Sequence, residues 1–138
     1  MVKKHVLDEE LGISNFSNII DVSDNVRDIQ ELLCHIDVLI SDYSSVVFDF
    51  VLMEKPIIFY CHDFEEYSKT WDMYYSYFEN LPGPFAKNEN ELIHCINNIE
   101  KSFNENEYKE KYISFKNQFN RYNDGDSCKR LLNYLLKI

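Results

Sequence analysis

Asp37-Val38-Leu39-Ile40-Ser41-Asp42-Tyr43-Ser44-Ser45-Val46-Val47-Phe48-Asp49-Phe50 is the stretch on which the fold is decided. An apolar run meets a polar Ser-Asp-Tyr-Ser-Ser turn, and a second apolar run follows at helical spacing. This is the pattern of a buried parallel strand feeding a helix, and such folds bind ligands at the carboxyl ends of their strands. The two serines fall where a helix begins. Free backbone amides and the positive end of the helix dipole favour a phosphate there.

The flanking segments repeat the alternation. Phe16–Val22 contains a short strand, Ile19 to Val22. Ser23 or Asp24 caps a helix through about Cys34, with Val26, Ile29, Leu32 and Leu33 on one face. A strand over Asp37–Ser41 precedes a helix from Ser44 to about Met53, whose stripe is Val46, Val47, Phe50 and Val51. Glu54-Lys55-Pro56 turns the chain into a strand, Pro56–Tyr60, with proline tolerated at its first residue. Strand–helix–strand–helix–strand order predicts a parallel sheet with right-handed crossovers, and hence an α/β fold.

Upstream, Val2-Lys3-Lys4-His5-Val6-Leu7 reads as the end of a strand, and Asp8–Ser17 as a loop turning at Gly12. Met1 therefore suits a start partway through a larger fold. Downstream, Asp63 caps a short acidic helix with Glu66 at the capping-box position. Trp71–Leu81 is dense in aromatics, which suit either a patch packed on the sheet or a base-stacking surface. Pro82-Gly83-Pro84 is a rigid turn. Asn88 caps a helix to about Phe103 with Leu92, Ile93, Ile96 and Ile99 inward. Tyr108, Tyr112, Phe115 and Phe119 repeat at helical spacing, and Asp124-Gly125-Asp126 stops that helix. A last helix, Ser127–Ile138, turns Leu131, Leu132, Leu135 and Leu136 inward.

The bulk properties bound the function. At 138 residues the chain is one domain, residues 1–138, with room for a real core. The net charge of -10 disfavours nonspecific binding to nucleic acid or to an anionic membrane. Tyr 10 and Phe 10 against Gly 3 and Pro 3 argue for packed elements over flexible loops. Cys34, Cys61, Cys95 and Cys128 are widely spaced and form no C-x-x-C pair. With no signal peptide they read as reduced thiols of a cytosolic protein and not as metal ligands. No apolar run reaches the length of a membrane span.

Ser44 and Ser45 lead the candidates for chemistry, as a phosphate cradle or, in the plainer reading, as one helix cap and its neighbour. Asp49, one turn into the helix, can accept a ribose or polyol hydroxyl, or can simply complement the helix dipole. Asp42 can orient the turn. His5, at a strand end, can serve as general acid or base, as a cation against a diphosphate, or as a structural residue. His35, His62 and His94 have no ligand-spaced partners. There is no G-x-G-x-x-G, no Walker motif and no G-x-S-x-G elbow, so a nucleotide site has to use the serine turn.

On these residues the chain resembles the CDP-glycerol glycerophosphotransferases, the teichoic acid polymerases and primases. That family carries a (T/S)DYSS-x-x-FD block, matched at Ser41–Asp49. A lysine-proline strand follows, matched at Lys55–Tyr60, then a D-x-E-x-Y helix at Asp63–Tyr67 and a PGP turn at Pro82–Pro84. Four motifs in register make the resemblance specific over residues 2–100. It implies a Rossmann-like three-layer parallel sheet, the C-terminal half of a GT-B-type fold, in which the donor nucleotide is held.

The resemblance also implies roles for particular residues. Ser44 and Ser45 contact the diphosphate of CDP-glycerol and Asp49 lies nearby. Lys3-Lys4-His5 falls close to the family's Arg-x-His, about forty positions before the serine pair. His5 is then the catalytic histidine, and Lys3 and Lys4 are donor contacts. Lys3 keeps the arginine's charge without its planar fork. The implied reaction transfers glycerol phosphate to a polyol-phosphate or polysaccharide (capsule) acceptor with loss of CMP, and no cofactor or metal is assigned. The alternatives are a related GT-B transferase using CDP-ribitol or a nucleotide sugar, and a non-catalytic remnant. The family's N-terminal half, with much of the acceptor surface, has no counterpart in these residues. The implied setting is therefore a cytoplasmic enzyme, peripheral to the membrane through a separate N-terminal half.

Overall fold

Residues 1–3, 17–70 and 80–136 are described by the computed structural model. Lys4, His5, the expected loop over 8–16 and the aromatic run from Trp71 to Phe78 lie outside them. The chain divides into two compact units, Met1–Ile36 and Asp37–Ile138.

In the first unit, among the described residues, Val2 and Asp21 form a parallel bridge, and residues 4–7 of the expected first strand lie outside them. Val2 N–H donates to the Ile20 carbonyl at 2.8 Å, and Val22 N–H to the Val2 carbonyl at 2.9 Å. Ile19 and Ile20 are exposed, so the apolar pair does not build a core strand. Helix α1, Ile29–Leu33, is shorter than its periodicity suggests. Its cap is Asp28, whose carboxylate accepts from Gln30 N–H at 2.9 Å, and not Ser23 or Asp24. The reason is local: Asp21 already accepts from the Ser23 N–H, which ties that segment into a turn of its own. Val22 and Leu33 are buried.

The second unit carries the sheet. Strand β1 (Leu39–Ser41), β2 (Ile57–Tyr60) and β3 (Phe85–Ala86) pair in parallel in the order β1-β2-β3. The register sets Leu39 against Ile57 and Ser41 against Phe59, then Phe59 against Phe85 and Tyr60 against Ala86. Parallel neighbours need crossover connections, and helices supply them. Helix α2 (Val46–Phe50), continued by a 3₁₀ turn over Val51–Met53, joins β1 to β2, and α3 (Phe64–Thr70) leaves β2. Helix α4 (Glu89–Asn104) follows β3, and α5 (Asn106–Phe119) and α6 (Ser127–Leu136) complete the unit.

The central strand holds the core. Ile57, Ile58 and Phe59 are at most 1% exposed, and Phe50, Val51, Cys61 and Pro82 are equally enclosed. The sequence reading of β2 and of the α2 stripe at Val47, Phe50 and Val51 agrees with this burial. β1 departs from it: Ile40 is 46% exposed. Within the described residues β1 has a partner strand on one side only.

Strand β3 is a finding that the sequence reading missed. Pro82-Gly83-Pro84 is not a free-standing turn but a buried run pressed along β2. Phe59 N–H donates to the Pro84 carbonyl at 2.9 Å and Cys61 N–H to the Ala86 carbonyl at 3.0 Å. Gly83 is required there, because a Cβ would sit 2.0 Å from the Ile57 carbonyl oxygen.

Three helix faces need correction or refinement. Asn88 does cap α4, accepting from Glu91 N–H at 3.0 Å, and the Glu91 carboxylate reaches back to Lys87 N–H at 2.7 Å. Ile93 and Ile96, however, are exposed, and the covered stripe is Leu92, Cys95, Ile99 and Phe103. In α5, Tyr112 and Phe115 are buried as expected, while Phe119 sits at the margin. In α6 all four leucines expected inward, Leu131, Leu132, Leu135 and Leu136, are at least 56% exposed. Periodicity marks an apolar face without supplying anything to cover it.

Candidate functional site

Ser41 ends β1, and the turn Asp42–Ser45 stands at the carboxyl end of the sheet, where parallel α/β folds take ligands. Ser44 and Ser45 are both exposed. Ser45 occupies the cap position of α2 in helical backbone geometry, and its hydroxyl makes no capping bond. The weak cap comes from Ser44, whose Oγ accepts from Val46 N–H at 3.4 Å. Val47 N–H reaches the Ser44 carbonyl only at 3.5 Å, whereas Phe48 N–H has a sound 3.0 Å bond to the Ser45 carbonyl. The first two amides of the helix are thus held by long, weak contacts that a phosphate oxygen at ordinary distance can replace. Because α2 is short, these local amides outweigh any summed helix dipole. Asp49 is exposed, one turn further along the same helix.

The turn is anchored by its one half-buried side chain, Tyr43. Its O–H donates to Asp63 Oδ1 at 2.9 Å. Its ring stacks on Tyr67 with centroids 3.7 Å apart, and Phe64 lies at 6.2 Å. Burial, followed by the hydrogen bond to Asp63, pushes the Tyr43 phenol far above its ordinary pKa, so it stays protonated and remains a donor. Tyr43, Ser44 and Phe59 help to line a crevice of about 20 Å³. That is room for about one water, so this crevice does not itself enclose a nucleotide.

From behind, α5 holds α2. Asn120 Nδ2 donates to the Phe48 carbonyl at 2.9 Å, capping a carbonyl at the end of that helix. The Phe48 ring stacks on Phe115 at 5.3 Å and meets Phe119 edge-on at 4.8 Å. Tyr112 O–H reaches the carbonyls of Lys55 at 2.9 Å and Val51 at 3.3 Å, joining both ends of the loop before β2.

Of the residues singled out from sequence, Ser44, Ser45 and Asp49 share the turn and first helical residues after β1. Lys3, in the first unit, donates from Nζ to the Val26 carbonyl at 2.9 Å. Lys4 and His5 lie outside the described residues. Sequence reasoning missed Tyr43, Asp63 and Tyr67 as one group. The available signal was the i, i+4 spacing of Asp63 and Tyr67, which puts both on one side of α3.

Parallel α/β domains take ligands at the carboxyl edge of their sheet, where this unit presents a hydroxyl-rich turn. The chain belongs to the CDP-glycerol:poly(glycerophosphate) glycerophosphotransferase family, whose model matches residues 1–137. It is 38% identical over 110 residues to the teichoic acid poly(ribitol-phosphate) polymerase of Bacillus spizizenii, covering 80% of this chain and 17% of that protein. To the teichoic acid glycerol-phosphate primase of Bacillus subtilis it is 35% identical over 129 residues, covering 90% of this chain and 32% of the primase. The solved wall teichoic acid polymerase TagF superposes with a TM-score of 0.74 at 32% identity, over 92% of this chain and 31% of that one. A variant of TagF soaked with CDPG superposes equally well, with a TM-score of 0.74. The chain thus spans a third or less of the length of these relatives. Among the described residues no helix is long and apolar enough to cross a membrane.

Proposed function

We propose that this chain supplies the donor-binding half of a GT-B-type glycerophosphotransferase of teichoic acid or capsule synthesis, with CDP-glycerol held at the Ser44–Ser45 turn. The observation that carries the reading is the family match over residues 1–137, with the exposed, weakly bonded serine turn at the carboxyl edge of the sheet. The serine hydroxyls and the amides of Val46 and Val47 bind diphosphate oxygens. Asp49 accepts a hydroxyl of the ribose or the polyol. By the family resemblance Lys3, Lys4 and His5 are donor contacts, the two lysines supplying positive charge for the diphosphate.

In the reaction, the oxygen of an acceptor hydroxyl attacks the glycerol-bearing phosphorus. The bond from that phosphorus to the bridging oxygen breaks, and CMP leaves with the electron pair. His5 takes the hydroxyl proton. Positioning and charge neutralisation carry most of such a step, and the acceptor surface is assigned to the N-terminal half of the family's fold.

Calorimetric titration of CDP-glycerol tests the donor site. Saturable binding that weakens about tenfold or more in Ser44→Ala/Ser45→Ala supports it, since two charge-assisted hydrogen bonds are removed. No heat of binding with a folded protein refutes it.

A second donor has its own support, because ribitol-phosphate polymerases match as well as glycerol-phosphate enzymes do. The B. spizizenii ribitol-phosphate polymerase and the glycerol-phosphate primase of the same organism are both 38% identical to this chain. Competition among CDP-glycerol, CDP-ribitol and UDP-sugars separates them, and a UDP-sugar preference overturns both CDP readings.

A further inference from the structure

Asp42, Ser44 and Ser45 are exposed, and Tyr43 alone turns its side chain into the protein from this turn. The Tyr43 ring thus ties the backbone that leads to the Val46 and Val47 amides into the fold. Two residues at α3 grip that ring, one just before the helix and one within it. Asp63, just before the helix, accepts the phenol proton at 2.9 Å, and Tyr67 stacks on the ring face at 3.7 Å. Asp63 also starts α3 through its carbonyl, which accepts from the N–H groups of Glu66 and Tyr67 at 2.9 Å each. The grip is thus built on a hydrogen-bonded helix turn and not on a loose loop. The two segments are 20 residues apart in sequence and are separated by α2 and β2.

We propose that Tyr43, Asp63 and Tyr67 form a positioning clamp for the donor diphosphate, in which α3 sets the direction of the Ser44–Ser45 turn. This rests on the donor reading above and deepens it. The clamp touches no phosphate. It keeps the amides at the start of α2 pointing outward before the ligand arrives, so that binding does not have to order the turn. Asp63 acts as a hydrogen-bond acceptor, and its charge is secondary because the carboxylate lies at the exposed end of the contact.

The test uses the full chain and CDP-glycerol titrations of five variants, with far-UV circular dichroism confirming that each is folded. Tyr43→Phe keeps the ring and loses only the O–H, and Asp63→Ala loses the acceptor. Each weakens CDP-glycerol about five- to tenfold, within the range for one lost hydrogen bond. Asp63→Asn keeps an acceptor oxygen and stays within about threefold of wild type, since a neutral acceptor retains much of such a bond. The double variant Tyr43→Phe/Asp63→Ala binds no more weakly than Tyr43→Phe alone, as expected when the second change removes only the partner of a hydroxyl already lost. Ser44→Ala is the reference for direct contact.

If Tyr43→Phe and Asp63→Ala bind like wild type while Ser44→Ala is weakened, the clamp is overturned and the donor site stands. If Asp63→Asn is as weak as Asp63→Ala, charge and not hydrogen bonding is at work, and the proposal fails. If the wild type itself does not bind CDP-glycerol, the donor reading falls and takes this proposal with it.

Discussion

Gly83→Ala is the most demanding single change that the fold defines. An added Cβ would lie 2.0 Å from the Ile57 carbonyl oxygen and 3.0 Å from its carbon, where real Cβ atoms keep at least about 3.0 Å from their neighbours. Backbone has to move by about 1 Å, and the obstacle is not a flexible side-chain tip. Ile57 is 1% exposed, lies in the central strand and is paired with Leu39. Pro82 on the other side is fully enclosed. Movement therefore stretches the bonds that join β3 to β2, at Phe59–Pro84 and Cys61–Ala86. Overpacking of a rigid site costs about 1–3 kcal/mol. Weakening one or two backbone hydrogen bonds adds about 1 kcal/mol each. Alanine returns about 0.4–1 kcal/mol by restricting the unfolded chain. The net loss is about 2–4 kcal/mol, a large share of the 5–15 kcal/mol typical of a domain. Urea unfolding followed by far-UV circular dichroism measures it, as a lower midpoint at unchanged slope. A midpoint within about 0.5 kcal/mol of wild type shows that the Pro82–Pro84 run is not pressed against β2, and the reasoning fails.

Tyr112→Phe removes the donor to the Lys55 and Val51 carbonyls inside the unit, so a loss of about 1–2 kcal/mol is expected in the same assay, and an unchanged midpoint refutes the bridge. The Lys116 ammonium beside Glu54, 2.5 Å away, holds the Glu54 carboxyl below the usual carboxylate range. A depressed carboxylate stabilises the fold above its unfolded pKa, and that contribution disappears as pH falls through the lowered native value. Glu54→Gln should therefore differ from wild type at neutral pH and converge with it in acid; parallel stability curves down to the acid limb argue against the pair. Leu135→Ser, at a position 63% exposed, should change the stability of this chain by no more than about 0.5 kcal/mol. A fall of 2 kcal/mol or more in denaturant unfolding would place that leucine in a core.

The central part of the fold and of the candidate site was legible because both are local. β2 reads from an apolar run behind a proline, α2 from a stripe at Val47, Phe50 and Val51, and the serine turn from its composition alone. Asn88 is recognisable as a cap because the bond it makes lies three residues away. The α1 cap was misassigned among several capable polar residues because Asp21 engages Ser23 first, a competition between neighbours that residue type does not rank.

What the sequence by itself determined is the parallel strand–turn–helix that presents Ser44 and Ser45, and the family to which four spaced motifs belong. Hydrophobic periodicity and turn chemistry act over a few residues, and each leaves its mark in the chain order. Only the tertiary structure decided that Phe85–Ala86 is a third strand, because two paired residues are too few to show an alternation and their hydrogen bonds go to a strand more than twenty residues away. It also decided which apolar faces are covered: Leu92 and Ile99 of α4 turn inward while Ile93 and the α6 leucines face out. Tyr43 belongs with these, since what a phenol donates to depends on which helix the crossovers bring beside it. Local pattern specifies that a face is apolar or that a group must donate; only long-range packing supplies the partner.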